Sequence, residues 1–206
     1  MLRIEKVPTK RQIERFYNDI AAAPYQARMY ETQPHARDRL RRLLDLVPIG
    51  GRVLEVGCCD GYVSRDLAAR ADWLVGVDIA GACVERCHAL GLDNAEFVQG
   101  TIEELAADLG EFDLVVASEV LEHQRKPDEF LRLLSTLAPR VIVTVPISEN
   151  PNADTFSVEA FHNPRKAGDG SGHIWCPRPD TFRALFDEIE HYEDNGVSAI
   201  IVGRAG

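Results

Sequence analysis

The chain has 206 residues, of which 23 are basic and 33 are acidic, so its formal net charge is −10. This length can bury the core of one doubly wound domain, and the charge disfavours nonspecific binding to nucleic acid or to an anionic membrane. The five cysteines are odd in number and lack zinc-ribbon spacing, which predicts reduced thiols. Because residues 1–10 are charged and no apolar run reaches membrane-spanning length, we expect a soluble, cytoplasmic protein without a signal peptide.

Hydrophobic periodicity and helix-stop signals divide the chain into alternating helices and strands. In chain order they predict helices over 11–30 and 35–46, a strand over 53–56, a helix over 62–70, a strand over 73–78, a helix over 82–90, a strand over 96–98, a helix over 102–109, a strand over 113–117, a helix over 127–137, a strand over 141–145, a helix over 180–189 and a strand over 197–202. This alternation implies a mostly parallel sheet with helices on both faces.

The first strand ends in a glycine turn that carries a carboxylate. Glu55 lies just before Gly57, and Gly57 and Gly61 enclose three residues, which is not the G-x-G-x-x-G pattern of dinucleotide-binding proteins. A carboxylate at this point would repel a pyrophosphate but would attract a ligand with positive charge. S-adenosylmethionine, with its ammonium and sulfonium, is such a ligand, and NAD ranks well behind it.

The second strand ends at Asp78, a carboxylate placed to accept hydrogen bonds from a ribose diol. Taken alone this residue would serve NAD equally well. Its significance comes from its position one strand after Glu55.

In this order, Leu54–Gly61, Gly76–Asp78, the run 97–102 and the run 112–116 resemble the motifs of class I S-adenosylmethionine-dependent methyltransferases. The resemblance implies a Rossmann-like, doubly wound, mostly parallel seven-stranded sheet. Two residues depart from the family pattern: Cys59 replaces a middle glycine, and Thr101 replaces an acidic residue that often meets the adenine, so backbone groups of Thr101 and Ile102 would make that contact. The cofactor-binding residues implied are Glu55, Gly57, Cys58, Asp60, Gly61, Asp78, Ile79, Thr101, Ile102, Ser118 and Glu119.

We therefore expect one methyltransferase domain over residues 1–206, with a helical cap over 1–47, a cofactor-binding core over 48–145, a substrate lid over 146–179 and a final helix and strand over 180–206. The lid is expected because the long segment between strand and helix contains the aromatic residues Phe156, Phe161, His162, His173 and Trp175. Three tyrosines of the cap either cover the acceptor or pack as ordinary helix aromatics; they are Tyr17, Tyr25 and Tyr30.

The segment after the fourth strand should define the reaction, because ligands bind at the carboxyl ends of parallel strands. It lacks the Asn/Asp-Pro-Pro-aromatic run of amino-methylating enzymes. Its E-x-x-E-H pattern, Glu119, Glu122 and His123, resembles the metal-supporting motif of small-RNA 2′-O-methyltransferases and ubiquinone-pathway O-methyltransferases. One helical turn would place these three side chains on one face.

A later histidine would complete the metal set, with His173 favoured over His162, and these ligands suit Mg²⁺ or Mn²⁺. A Lewis acid would lower the pKa of an alcohol. Without a metal, His123 or His173 would be the catalytic base. Alternatively, Glu122 only caps or solvates the start of a helix.

The sequence thus predicts an enzyme that O-methylates a hydroxyl on a small polar, sugar-like or natural-product acceptor. The alternatives are an RNA-end 2′-O-methyltransferase and a non-catalytic cofactor-binding partner protein; nucleic acid and membrane partners are not expected, and the oligomeric state stays open. Four arginines, at positions 37, 39, 41 and 42, are more simply the solvated face of a helix than a phosphate site. Likewise, Cys83 and Cys87 are more simply half-buried helix residues than ligands of a soft metal.

Overall fold

The computed structural model describes residues 10–20, 25–148, 173 and 175–206. Its N-terminal part contains helices α1 (Lys10–Ile20), α2 (Tyr25–Thr32) and α3 (Pro34–Leu46). The prediction of a single helix over 11–30 is wrong, because α1 and α2 are separate helices. The sequence places Pro24 just before α2, and a proline ring clashes with the preceding helical turn and removes a backbone donor.

The remaining chain forms one seven-stranded sheet and its covering helices. The strands are β1 (Arg52–Val56), β2 (Trp73–Asp78), β3 (Ala95–Gln99), β4 (Leu114–Ser118), β5 (Val141–Pro146), β6 (Glu188–Asp194) and β7 (Ser198–Arg204). The helices are α4 (Tyr62–Ala68), α5 (Gly81–His88), α6 (Ile102–Leu109), α7 (Pro127–Leu137) and α8 (Pro179–Arg183), and Leu121–His123 forms a 3₁₀ turn.

The strand order is β3-β2-β1-β4-β5-β7-β6. Strands β1 to β5 pair in parallel with one another, whereas β7 pairs antiparallel with both β5 and β6. The expected Rossmann-like, mostly parallel seven-stranded sheet is confirmed.

The predicted helix over 180–189 is wrong in its second half. Helix α8 ends at Arg183, and residues 188–194 instead form strand β6 at the edge of the sheet. Most of this strand is exposed and rich in acidic residues, so it lacks the apolar alternation that marks a half-buried strand. Its pairing with β7, rather than its own composition, makes it a strand.

Two apolar clusters pack on opposite faces of the sheet. Leu54 of β1 packs in one cluster with Leu134 of α7, while its neighbour Val53 packs in the other with Leu43 of α3. Successive side chains of a strand point to opposite faces, so these clusters are the two covered sides of a doubly wound sheet. Within the described residues, no helix combines the length and apolar character that crossing a membrane requires.

The topology predicts where a ligand binds. Strand β1 pairs with β2 on one side and with β4 on the other, so the strand order reverses beside β1. Ligands of open α/β sheets bind outside the carboxyl ends of the strands at such a reversal. The turns after β1, β2 and β4 meet there.

Candidate functional site

A cavity of about 780 Å³ opens at the carboxyl ends of β1, β2 and β4. Gly57 of the turn after β1 and the last residues of β2 and β4, Asp78 and Ser118, line its wall, and the N-terminal helices contribute Tyr17 and Arg39. The cavity therefore lies between the sheet edge and the helical segment that precedes β1.

The turn after β1 requires glycine at its first position. Gly57 has a φ of +80°, which side-chain-bearing residues rarely adopt, and a Cβ there would meet Val120 Cγ2 at 2.5 Å. Gly61, with a φ of +79°, begins α4, and a Cβ there would meet Leu90 Cδ1 at 2.5 Å. Gly57 lines the cavity, whereas Gly61 shapes the turn from behind.

Asp78 is fixed at the end of β2 by backbone donors. Its Oδ2 accepts a hydrogen bond from the Cys59 N–H at 2.9 Å, and its Oδ1 accepts one from the Ala80 N–H at 2.9 Å. Burial raises the pKa of Asp78, and these two N–H groups act in the opposite direction. The side chain lines the cavity, as the ribose-binding prediction requires.

Glu55 lies elsewhere than the sequence argument placed it. Its side chain is 3% exposed, accepts a hydrogen bond from Ser64 Oγ at 2.5 Å and does not line the cavity. Burial raises its pKa to about 8, with Ser64 opposing and Asp78 reinforcing the shift. The protonated, neutral form is therefore favoured at neutral pH, which does not suit a group meant to attract a cationic ligand.

Two other predicted cofactor residues also lie behind the turn. Cys58 is fully buried, and Asp60 Oδ2 accepts hydrogen bonds from the backbone N–H groups of Gln26 at 2.9 Å and Ala27 at 3.4 Å. These donors belong to the first turn of α2, whose N–H groups have no partners within the helix. Asp60 thus attaches α2 to the turn.

The third and fourth loops complete the predicted cofactor wall. Thr101 and Glu104 form a capping box at the start of α6, in which the Thr101 N–H donates to Glu104 Oε2 at 3.3 Å. Ile79, Thr101 and Ile102 all line the cavity.

Glu119 directly follows β4 in a left-handed backbone conformation, with a φ of +58°. Its Oε1 accepts a hydrogen bond from Thr144 Oγ1 at 3.0 Å, and its Oε2 lies 3.2 Å from Arg39 Nη1. Ser118 Oγ lies 2.9 Å from the same Thr144 hydroxyl. Ser118 and Glu119 both line the cavity, as predicted for cofactor residues.

Arg39 is a site residue that the sequence argument missed. It is 3% exposed and lines the cavity, with its guanidinium carbon 6.0 Å from the centre of the Tyr30 ring. Its Nε and Nη2 have no hydrogen-bond partner among the described residues, and the same holds for the buried Oε1 of Gln26. Burial lowers and the Glu119 carboxylate raises the pKa of Arg39; the net pKa is raised, so the group stays charged.

The signal for Arg39 was present in the helix pattern. Arg39 follows Ala36 by three residues and precedes Leu43 by four, and both are buried in α3. It therefore lies on the apolar stripe of an amphipathic helix, where a charge requires a partner. The other three arginines of this run are not buried.

The structure brings together three of the four residues predicted to hold a metal. Glu122 is fully buried, and its Oε1 lies 3.9 Å from His123 Nε2 and 3.6 Å from His173 Nε2. The potential ligand atoms of these residues all lie within 4.8 Å of one another. Neither carboxylate oxygen of Glu122 has a hydrogen-bond partner among the described residues.

Glu119 is not part of this cluster. The predicted helical turn would have aligned it with Glu122 and His123, but the 3₁₀ turn begins only at Leu121 and the φ of Glu119 is positive. Its carboxylate is held by Arg39 and Thr144 instead. Burial raises the pKa of Glu122 well above its ordinary value, and the nearby Glu119 carboxylate raises it further.

Two tyrosines of the N-terminal helical cap also lie at the cavity wall, one of them against His123. The Tyr17 ring packs edge-on against His123 with centroids 5.7 Å apart, and Tyr30 stacks on Tyr62 at 4.9 Å. Both Tyr17 and Tyr30 line the cavity. The Tyr25 side chain and most of the expected lid, including Phe156, Phe161 and His162, lie outside the described residues.

The family model described as "Methyltransferase domain" matches residues 25–190 of the chain. The chain belongs to the S-adenosylmethionine-dependent methyltransferase family. The prediction of family and enzyme class from the ordered motifs is confirmed.

Curated relatives of this methyltransferase include two kinds of enzyme. This chain is 39% identical over 111 residues to the O-antigen chain terminator bifunctional methyltransferase/kinase WbdD of Escherichia coli. The match covers 48% of this chain and 16% of that protein. It is 33% identical over 130 residues to the ubiquinone biosynthesis O-methyltransferase of Marinobacter nauticus, covering 58% of this chain and 54% of that protein. The chain thus spans about half or less of the length of these relatives.

Solved structures share the fold over nearly the whole methyltransferase. The complex of DhpI with S-adenosylhomocysteine has a TM-score of 0.69 and 21% identity, and covers 96% of this chain and 97% of that one. The [4+2]-cyclase SpnF has a TM-score of 0.71 and 16% identity with the same coverage. Because one fold supports different reactions, the acceptor chemistry must be argued from the site itself.

Proposed function

We propose that this methyltransferase transfers a methyl group to a hydroxyl of a small polar acceptor, assisted by a divalent cation held by Glu122, His123 and His173. The observation that supports this most directly is the buried Glu122 carboxylate, which faces two imidazoles and has no hydrogen-bond partner among the described residues. A buried carboxylate without a partner is unfavourable unless it is protonated or meets a cation. The O-methyltransferase names of the ubiquinone-pathway relatives agree with a hydroxyl acceptor.

The cavity wall fits S-adenosylmethionine. When bound, the cofactor supplies a methyl group to an acceptor oxygen and leaves as S-adenosylhomocysteine. Asp78 would accept hydrogen bonds from the ribose diol, and the turn at Gly57 lets the backbone approach the ligand closely. The adenine would lie against Ile79, Thr101 and Ile102, which line the cavity next to Asp78.

The amino-acid end of the cofactor would meet the atoms that lack partners. Arg39 Nε and Nη2 are buried donors suited to a carboxylate, and Gln26 Oε1 is a buried acceptor suited to an ammonium. Ser118 and Glu119 lie near Arg39 at the same wall. A ligand that carries both charges would satisfy all three atoms at once.

The cation site is built from one carboxylate and two imidazoles rather than from the two carboxylates that the sequence suggested. When bound, the cation would supply the Lewis acidity that lowers the pKa of an acceptor hydroxyl. Mg²⁺ prefers oxygen ligands, whereas imidazole binds first-row transition ions better, so of the two ions predicted from the sequence this set favours Mn²⁺. We therefore expect Mn²⁺ to bind more tightly than Mg²⁺.

His123 and His173 differ in what surrounds them. The His123 ring lies between the Tyr17 ring at 5.7 Å and the His173 ring at 5.0 Å, which restricts its rotation. His173 comes from the segment after β5 and lines the cavity beside His123 of the turn after β4. If no cation binds, His173 would be the general base, with the Glu122 carboxyl 3.6 Å away to orient it.

A polar acceptor is supported by the wall beyond the cofactor residues. Besides the predicted cofactor residues, several polar and charged side chains line the cavity: His35, Glu103, His123, Gln124 and Arg125. A mixture of hydrogen-bonding groups suits a hydroxylated, sugar-like molecule better than an apolar quinone.

The test is a search for the acceptor with S-adenosylmethionine that carries deuterium in its methyl group. Polar metabolite extracts are incubated with the enzyme, and labelled products are identified by mass spectrometry and their methylated atom by NMR. We expect a methyl ether on a hydroxyl-rich product. Label found only on nitrogen, carbon or sulfur would contradict the proposal.

Three variants separate binding from chemistry. Asp78→Asn should abolish S-adenosylhomocysteine binding measured by calorimetry, because the amide replaces one of two acceptor oxygens. His173→Ala should retain that binding and lose turnover. His191→Ala, a histidine on the edge strand β6, should change neither. Equal loss of binding in the first two variants would contradict the division of roles.

A further inference from the structure

Four of the five cysteines gather beneath the cofactor turn. Cys58 and Cys59 follow β1, while Cys83 and Cys87 belong to α5. Cys58 Sγ lies 3.7 Å from Cys87 Sγ, and Cys87 Sγ lies 3.3 Å from the Cys59 carbonyl oxygen. Cys59 in turn packs with Cys83 and Ala80 in a small apolar cluster. The contacts among these cysteines therefore join the turn after β1 to α5.

Cys59 occupies a backbone position that favours glycine. Its φ is +49°, and apart from Glu119 it is the only non-glycine with positive φ among the residues that the structure describes. A side chain in this left-handed region costs on the order of 1 kcal/mol. The class I methyltransferase motif that the sequence resembles usually has glycine there, so this chain carries a thiol at a conformational cost.

Only one of the two pairs borders the cavity. The half-buried Cys59 and the buried Cys83, which is 3% exposed, both line it, whereas Cys58 and Cys87 are fully buried and do not. A small reagent that enters the cavity therefore meets the wall that contains the first pair, and a bound cofactor would cover that wall.

We propose that Cys59 and Cys83 form an oxidisable thiol pair in the wall of the cofactor cavity, and that a peroxide links them into a disulfide that blocks cofactor binding. One hydrogen peroxide takes two electrons from the pair. Its O–O bond breaks as the first thiol becomes a sulfenic acid and one water is released. The second sulfur then displaces the hydroxyl group, which leaves as water with the remaining proton, and the S–S bond forms.

Contact with the Cys83 thiol and burial both raise the pKa of the Cys59 thiol. Because the closing thiol must lose its proton, the disulfide should form faster as pH rises.

The disulfide would disturb the cofactor site through Asp78. An S–S bond is about 2.05 Å long, much shorter than a contact between two thiols. Closing it draws Cys59 toward α5, and the Cys59 N–H is one of the two backbone donors that hold the Asp78 carboxylate. The inference rests on this carboxylate facing the cofactor.

The experiment compares reduced and peroxide-treated protein. Trypsin cleaves after Arg86 and so separates Cys83 from Cys87, which lets peptide mass spectrometry tell the two possible partners apart. We expect a Cys59–Cys83 crosslink, a loss of S-adenosylhomocysteine affinity of at least about tenfold, and recovery with dithiothreitol. Saturating S-adenosylhomocysteine during treatment should slow the crosslink.

Variants keep the test independent of folding defects. Cys83→Ala and Cys59→Gly should each bind S-adenosylhomocysteine with the same affinity before and after peroxide treatment. Cys176→Ala, the cysteine outside this group, should still lose affinity. Singly oxidised thiols, a Cys58–Cys87 crosslink, or a Cys59–Cys83 crosslink without loss of affinity would overturn the inference. A reduced protein that fails to bind S-adenosylhomocysteine would instead overturn the cofactor placement on which it rests.

Discussion

The buried Glu55 carboxyl should make folding stability fall as pH rises. The pKa of Glu55 is about 8 in the folded protein, against an ordinary value of 4.5 that applies when the chain is unfolded. Between these values the folded state holds a proton that the unfolded state has lost. The stabilisation is therefore fully present below pH 4.5 and is lost as pH rises toward 8.

The size of the effect follows from the two pKa values. Each pKa unit corresponds to about 1.4 kcal/mol, so the whole shift from 4.5 to about 8 amounts to roughly 5 kcal/mol as an order of magnitude. Across the middle of the range the free energy of unfolding should drop by about 1.4 kcal/mol per pH unit from this group alone. That is a large share of the stability of a typical domain.

Glu55→Gln removes this titration because glutamine is neutral in both states. Urea unfolding followed by circular dichroism, from about pH 5.5 to about pH 7.5, should give a flatter stability profile for the variant by about 1.4 kcal/mol per unit. Glu96→Gln is the matched control, since Glu96 is an exposed strand residue, and its profile should parallel the wild type. The contributions of other titrating groups to the pH dependence are common to wild type and both variants, so they cancel in these comparisons.

Two results would refute the reasoning about Glu55. Parallel profiles for Glu55→Gln and wild type would mean that the carboxyl is already ionised in the folded protein. A loss of S-adenosylhomocysteine affinity greater than about tenfold in Glu55→Gln would restore the cofactor role that the sequence suggested. The structure predicts that S-adenosylhomocysteine affinity changes by less than about twofold, because the Glu55 carboxyl faces Ser64 and not the cavity.

Arg39→Gln should weaken S-adenosylhomocysteine binding by about tenfold and destabilise folding by about 3 kcal/mol, because it leaves the Glu119 carboxylate without its cation. Calorimetry and urea unfolding measure these effects; Arg37→Gln, on the exposed side of the same helix, should show neither, and equal effects in both variants would refute the role of Arg39. Gly57→Ala should destabilise by more than about 2 kcal/mol, since it combines positive φ with a contact to Val120 at 2.5 Å. Gly196→Ala has the same φ of +80° with no atom within 4 Å, so a similar loss of stability in both would show that the contact is unimportant.

The parts of the site that sequence reasoning placed correctly are those set by local pattern. Gly57 and Asp78 each end an apolar strand, and parallel strands bring their carboxyl ends to one edge of the sheet. The two residues therefore reach the same cavity without any knowledge of tertiary contacts. Thr101 and Ser118 reach the cavity for the same reason, because they lie at the carboxyl ends of β3 and β4, the strands that flank β2 and β1.

The parts that failed depend on contacts between distant segments. Arg39 and Glu119 form a buried pair only because α3 packs beside the turn after β4, and no short-range pattern marks this pairing. Strand β6 is polar and exists because β7 supplies its hydrogen-bond partners. Glu55 lies at the right position in the motif, but which way its side chain points depends on the packing of α4.

The structure leaves Glu119 out of the group that Glu122, His123 and His173 form, for a local reason. Spacings of three and four residues bring side chains together only on a helix. Glu119 precedes the 3₁₀ turn and has positive φ, so its side chain lies with Arg39 while Glu122 and His123 lie with His173.

The most direct test of a cation-assisted reaction is to titrate Mn²⁺ into chelator-treated protein saturated with S-adenosylhomocysteine and to measure the heat released. We predict one saturable site that binds Mn²⁺ more tightly than Mg²⁺, is weakened at least about tenfold in Glu122→Gln, and persists in Glu119→Gln. Absence of a saturable site in the wild type would contradict the cation-assisted reaction and leave His173 or His123 as the base.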